Sequence, residues 1–182
     1  MGAVAASGGL YSALSATKIF CQPGTLTGSI GVILQIPNVR KLSDWAGFDM
    51  TTVKSGALKD AGNVFREMTP NEKAYLQSTV DQAHEQFVSA VVESRSLDPK
   101  NVKTFSDGRI ILGEEAVKLG LVDGFGDIDA AARAVFESLN RPLSEEEKPY
   151  LVYPMDKTKW LKEILQTTTH ISDLIQGKVK FQ

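Results

Sequence analysis

A chain of 182 residues with 42% apolar and 23% charged residues, a formal net charge of −2 and one cysteine is expected to form one domain, with at most a small appendage. Its 20 basic residues are scattered, which argues against nucleic-acid binding, because phosphate contact needs a basic stripe. No apolar run approaches the ~20 residues of a membrane span, no His pair or Cys cluster suggests a metal centre, and Cys21 reads as a small buried residue.

Residues 1–6 have neither a charged leader nor a long apolar core, so they do not read as a signal peptide. They run into a glycine-rich turn as the end of a strand would, and the chain is expected to be a fragment or processed product of something longer. Residues 10–17 predict a buried helix. Residues 18–22 predict a short strand closed by Pro23 and Gly24, and 30–36 a buried, β-branched strand ended by Pro37. A short helix over 39–46 stops at Gly47. A further strand over 48–53 enters the loop 54–62. Thr69, Pro70 and Glu72 form a capping box with proline in the first turn. Leu76, Val80, Ala83, Phe87 and Val91 then give one apolar face to a long helix reaching about Ser94. A strand over 108–112, a helix over 114–119 stopped by Gly120 and a minimal strand over 121–123 follow. Asp127 caps a helix to Asn140, with Ala131, Ala134, Val135 and Leu139 inward. After Pro142 come a charged linker, a possible edge strand at 151–153, an amphipathic helix around Trp160 and Leu165, and a weakly patterned tail. Short strands alternating with helices point to a layered α/β domain, its ligand site where strand ends meet helix starts.

The sharpest local feature is A-S-G-G at residues 6–9. Small neighbours permit a tight strand-to-helix turn, and the helix start aims unpaired N–H groups at whatever sits there. Ser7 is therefore either a nucleophile beside an oxyanion site or a plain helix cap, half-matching the G-x-S-x-G elbow. A serine nucleophile needs a base. His84, beside the stripe of the long helix, and His170, in the tail, have no distinctive context. Lysine serves if the amine is held neutral at the working pH, and K-S-G-A-L-K at 54–59 offers Lys54 and Lys59 without choosing between them. The run T-L-T-G-S-I-G-V at 25–32 suits either a cleft edge that pairs with an extended peptide or a hydroxyl-rich turn feeding a core strand. It lacks the spacing of a phosphate loop.

Together, the segments 1–9, 25–32 and 54–60, with E-M-T-P at 67–70, D-G-R at 107–109 and A-V-K-L-G-L-V-D at 116–123, resemble the signal peptide peptidase A (protease IV) family of Ser/Lys-dyad peptidases over residues 1–140. The resemblance implies an α/β fold of layered β-β-α units related to ClpP and the crotonases. That fold is N-terminally truncated here, with a peptidase domain over 1–141 and a linker and helical extension over 142–182. It implies Ser7 as nucleophile, Lys59 as general base, Ser29 holding the lysine amine and Gly8 donating its N–H to the oxyanion. Gly28, Ile30, Gly31 and Val32 would then bind substrate. It further implies a serine endopeptidase without cofactor that cleaves signal peptide remnants. The full-length protein would be an extracytoplasmic, membrane-anchored homo-oligomer whose anchor lies outside this chain, and whose Ser and Lys sometimes come from different copies. Leu10 stands where many members carry an aromatic residue. A phage-type capsid-maturation protease and a non-catalytic scaffold with the same fold are the alternatives.

Overall fold

The computed structural model describes residues 1–152, and the chain divides into two units, Met1–Glu147 and Lys148–Gln182. In the first, the elements run α1 (Gly8–Ala13), β1 (Phe20–Cys21), β2 (Leu26–Gly28), α2 (Arg40–Ala46), α3 (Pro70–Arg95), α4 (Pro99–Lys103), β3 (Ile110–Leu112), α5 (Gly113–Lys118), β4 (Gly124–Phe125) and α6 (Ile128–Ser138). This is a mixed helix and strand architecture with two small sheets. β2 and β3 pair antiparallel, Thr27 opposite Ile111, and β1 and β4 pair parallel.

The extended N-terminal segment lies along β2 as a third, parallel strand. Leu26 N–H donates to Ala3 O (2.9 Å), Ala5 N–H to Leu26 O (2.8 Å) and Ser7 N–H to Gly28 O (2.9 Å). Two fully enclosed threonines fasten it further, Thr25 Oγ1 donating to Gly2 O and Thr27 Oγ1 to Ala5 O. The buried hydroxyls of Thr25 and Thr27 are therefore satisfied by backbone carbonyls of the N-terminal segment. Beneath this layer Leu10, Cys21, Ile30, Val91, Val102 and Leu121 form the centre of the core.

The capping box at Thr69 and Glu72 forms, with Pro70 in the first turn, and Phe87 and Val91 of the expected stripe are buried. Gly47 ends α2 in the left-handed conformation, and Asp127 caps α6 by accepting from the N–H groups of Asp129 and Ala130. α4 was not anticipated, although Asp98 before Pro99 is a cap followed by a first-turn proline.

The structure corrects several expectations. Residues 30–36 form no strand. The ladder stops at Gly28 because Ser29 turns to φ 51° and hands its N–H to Arg109 O at 2.7 Å. Residues 48–53 are likewise unpaired, since no strand among the described residues lies beside them. The last strand sits at Gly124–Phe125, not 121–123, while Val135 and Leu139 of α6 face outward. Residues 151 and 152 show no strand pairing. The expected helix around Trp160, the tail and His170 lie outside the described residues.

Glu72 deserves a prediction of its own. Its carboxylate is buried, accepts a bidentate pair from Arg66 and accepts from Thr69 N–H at 2.8 Å. The Arg66 guanidinium above all, then the Thr69 N–H, holds its pKa down at about 2. A depressed carboxylate contributes stability that is complete above its unfolded pKa of about 4.3 and is lost as pH falls toward 2. Glu72→Gln should therefore lower Tm at neutral pH and flatten the acid limb between about pH 4.5 and 2. An acid limb as steep in the variant as in the parent would contradict this role.

Candidate active site

Ser7 closes the N-terminal strand and opens α1 with φ 51° and ψ −117°. A side chain with a Cβ rarely adopts this backbone, and non-glycine residues held in such conformations cluster where function needs them. The strand partner imposes it, because Ser7 N–H is fixed on Gly28 O while Tyr11 N–H returns to Ser7 O at 2.9 Å. Ser7 Oγ makes no capping hydrogen bond, so the plain cap reading of this serine fails. The Gly8 N–H likewise has no hydrogen-bond partner among the described residues. The result is a strand-turn-helix elbow that presents a free hydroxyl beside a free N–H.

The elbow opens on a cleft of about 370 Å³ lined by Ser7, Gly8, Tyr11, Gly31, Val32 and Ile33 on one side, and by α3 on the other. Ala83, Gln86 and Phe87 supply that second wall. Tyr11 meets Phe87 edge to face, ring centroids 5.1 Å apart, which locks the start of α1 against α3. Gly31 and Val32 line the cleft. Gly28 and Ile30 are buried behind it, and Ser29 is half-buried just after the residue that holds Ser7. Sequence reasoning does not find Tyr11 and Gln86, and it reads Ala83 and Phe87 only as part of the apolar face of the long helix. The available signal was Tyr11 one helical turn after Ser7.

The two candidate lysines are treated differently. Lys54 Nζ is committed, 2.5 Å from Asp60 Oδ1 and 3.2 Å from Ala57 O. Asp60 is held below the usual carboxylate range, first by Lys54 and then by Arg66. Lys59 is exposed, and its amine has no hydrogen bond or ion pair among the described residues. Its backbone N–H donates to Gly56 O at 3.1 Å. The structure does not bring Lys59 to Ser7 within one chain. Lys59 is absent from the cleft lining, and its turn is tied through Asp60 and Arg66 to Glu72 in the first turn of α3. Ala83 lies three turns further along, roughly 16 Å of helix. His84, the other candidate base, is occupied by Ser106 O at 2.7 Å.

The segment from Ile33 to Val53 carries many exposed apolar side chains. Ile33, Trp45 and Val53 are 78%, 84% and 95% exposed, joined by Leu34, Leu42, Phe48 and Met50. Isolated exposed apolar residues are ordinary, but so many within one stretch of chain point to a contact surface. No helix among the described residues is long and apolar enough to cross a membrane.

Comparison with known proteins gives the site its context. Residues 1–151 match the model of peptidase family S49. A putative protease of Synechocystis is 44% identical over 125 residues, 69% of this chain and 45% of its own length. A putative signal peptide peptidase SppA of Enterococcus faecium is 37% identical over 154 residues, covering 85% of this chain and 44% of that protein. Protease 4 of Salmonella typhi is 28% identical over 169 residues, 93% of this chain and 26% of that protein. The chain thus spans less than half the length of these relatives.

Proposed function

Because the chain belongs to peptidase family S49, we propose that it is a serine endopeptidase whose catalytic pair is assembled from two copies, with Ser7 of one copy as nucleophile and Lys59 of a neighbour as general base. The observation that carries this reading is the strained elbow, which holds an uncommitted Ser7 hydroxyl over a cleft. Of the two lysines of the 54–59 loop, Lys59 has no partner for its amine among the described residues, and the exposed apolar side chains between Ile33 and Val53 supply a surface for a second copy.

In this mechanism the neutral Lys59 amine takes the proton from Ser7 Oγ as the oxygen attacks the substrate carbonyl carbon. Ser29 steadies the amine, and the oxyanion accepts from Gly8 N–H. The Lys59 ammonium then gives its proton to the leaving amine as the peptide C–N bond breaks, leaving an acyl ester on Ser7. Lys59 next takes a proton from water, whose oxygen attacks the ester and frees the carboxylic product and the Ser7 hydroxyl. The exposed Gly31–Ile33 edge would hold the substrate in extended form. The cleft walls, Tyr11, Val32, Ile33 and Phe87 among them, suit apolar side chains such as those of signal peptide remnants. Gly28 and Ile30 would act by shaping that edge from behind. In the full-length protein the domain would work outside the cytoplasm, beside a membrane, within a homo-oligomer.

A fluorophosphonate probe tests the nucleophile. Labelling should map to Ser7, rise with pH from neutral to alkaline as the base loses its proton, and vanish in Ser7→Ala. Absence of label in the assembled protein would turn the reading toward a scaffold, and a rate flat across that pH range would remove Lys59 as base.

A further inference from the structure

Lys59 has four rotatable side-chain bonds and no partner for its amine among the described residues, so within its own copy its placement is set by its main chain. That main chain is held by its neighbours. Lys59, Ala61 and Asn63 close successive turns on Gly56 O, Leu58 O and Asp60 O, and Asp60 is the point of attachment. Its carboxylate is gripped on one oxygen by Lys54 and on the other by Arg66 Nε at 3.1 Å. Its carbonyl accepts from Arg66 Nη2 at 3.2 Å. The same guanidinium takes Glu67 O at 3.1 Å and both oxygens of buried Glu72. Glu72 belongs to the cap of α3, and α3 carries Ala83, Gln86 and Phe87 into the Ser7 cleft.

Apart from the bond to Glu67 O, the Arg66 hydrogen bonds therefore all go to the lysine turn or to the helix that walls the cleft. Resting on the Ser7/Lys59 reading, we propose that Arg66 is a positioning residue. It splices the Lys59 turn onto α3, so that the base projects from the rigid body of its own copy toward the Ser7 of the neighbour rather than from a loose loop. The planar, forked guanidinium is suited to this because it satisfies two carboxylates and two carbonyls in one orientation. A lysine there would keep the charge but lose most of the directionality.

The test is steady-state hydrolysis of an apolar peptide substrate by the full chain in its assembled form, comparing Arg66→Gln, Arg66→Lys, Lys54→Gln and Lys59→Ala, with near-UV circular dichroism confirming the fold. A base displaced by about 1 Å costs on the order of 100-fold in rate. Arg66→Gln should lower kcat about 10- to 100-fold with KM within about twofold, and Arg66→Lys should recover part of it. Lys54→Gln, which removes only the outer grip on Asp60 from a surface residue, should lower kcat several-fold. A folded Arg66→Gln with kcat unchanged overturns the proposal. If Arg66→Gln does not fold, a folded Lys54→Gln with kcat unchanged overturns it equally. Lys59→Ala separates the two readings. Full activity there removes the Ser/Lys mechanism itself, while an inactive Lys59→Ala beside a fully active Arg66→Gln removes only the positioning role.

Discussion

Ser7→Ala is expected to reduce peptide hydrolysis by about 10⁴-fold or more, and Lys59→Ala by about 10²- to 10⁴-fold, with the fold intact in both. The asymmetry follows from what each atom does. Without Oγ no acyl ester forms, and only the Gly8 N–H and the cleft remain to stabilise attack by water. Without the amine the nucleophile persists but must lose its proton to solvent. Neither change should disturb stability. Ser7 Oγ makes no capping bond, and Lys59 is exposed with no side-chain partner among the described residues. Steady-state kinetics with matched thermal melts checks both points. Substantial residual turnover in Ser7→Ala would remove the nucleophile, and full activity in Lys59→Ala with loss in Lys54→Ala would move the base to Lys54.

Gly28→Ala should be the most damaging small substitution near the site. Gly28 has φ +68°, and a Cβ there would meet Ile111 Cγ1 at 2.7 Å and Arg109 O at 3.0 Å. The left-handed backbone costs a residue bearing a Cβ about 1–2 kcal/mol, and overpacking adds about 1–3 kcal/mol. A loss of roughly 3 kcal/mol, or about 10 °C in Tm, is expected. Activity should fall further than stability alone accounts for, because Gly28 O fixes Ser7 N–H and so sets the elbow. Gly8→Ala is the control, since a Cβ there meets nothing within 4 Å. It should melt close to the parent, and a Gly28→Ala variant that did the same would contradict the packing argument.

Local chemistry was legible where a residue acts on its own neighbours in sequence. The Thr69–Glu72 capping box, the Asp127 cap, the Gly47 stop and the A-S-G-G elbow each form where the sequence indicates, because each is decided within a few residues. The S49 membership was legible because several motifs stand in register over most of the chain. Strand assignment failed where it depends on partners. The apolar runs at 30–36 and 48–53 have the composition of core strands but no adjoining strand among the described residues, so Ile30 alone enters the core while Val32, Ile33, Leu34, Phe48, Met50 and Val53 lie on the surface. The roles of the 25–32 hydroxyls were hidden for the same reason. Thr25 and Thr27 find backbone carbonyls more than twenty residues away. The pairing of Lys54 with Asp60, which Arg66 holds from the other side, appears only in three dimensions.

The sharpest test mixes two inactive proteins. Ser7→Ala subunits retain Lys59, Lys59→Ala subunits retain Ser7, and neither alone should hydrolyse peptide. If the pair forms between neighbouring copies, co-assembly in equal amounts should restore about a quarter of the parental sites by random pairing. A mixed assembly as inactive as its two components would contradict the shared site and return both residues to one chain.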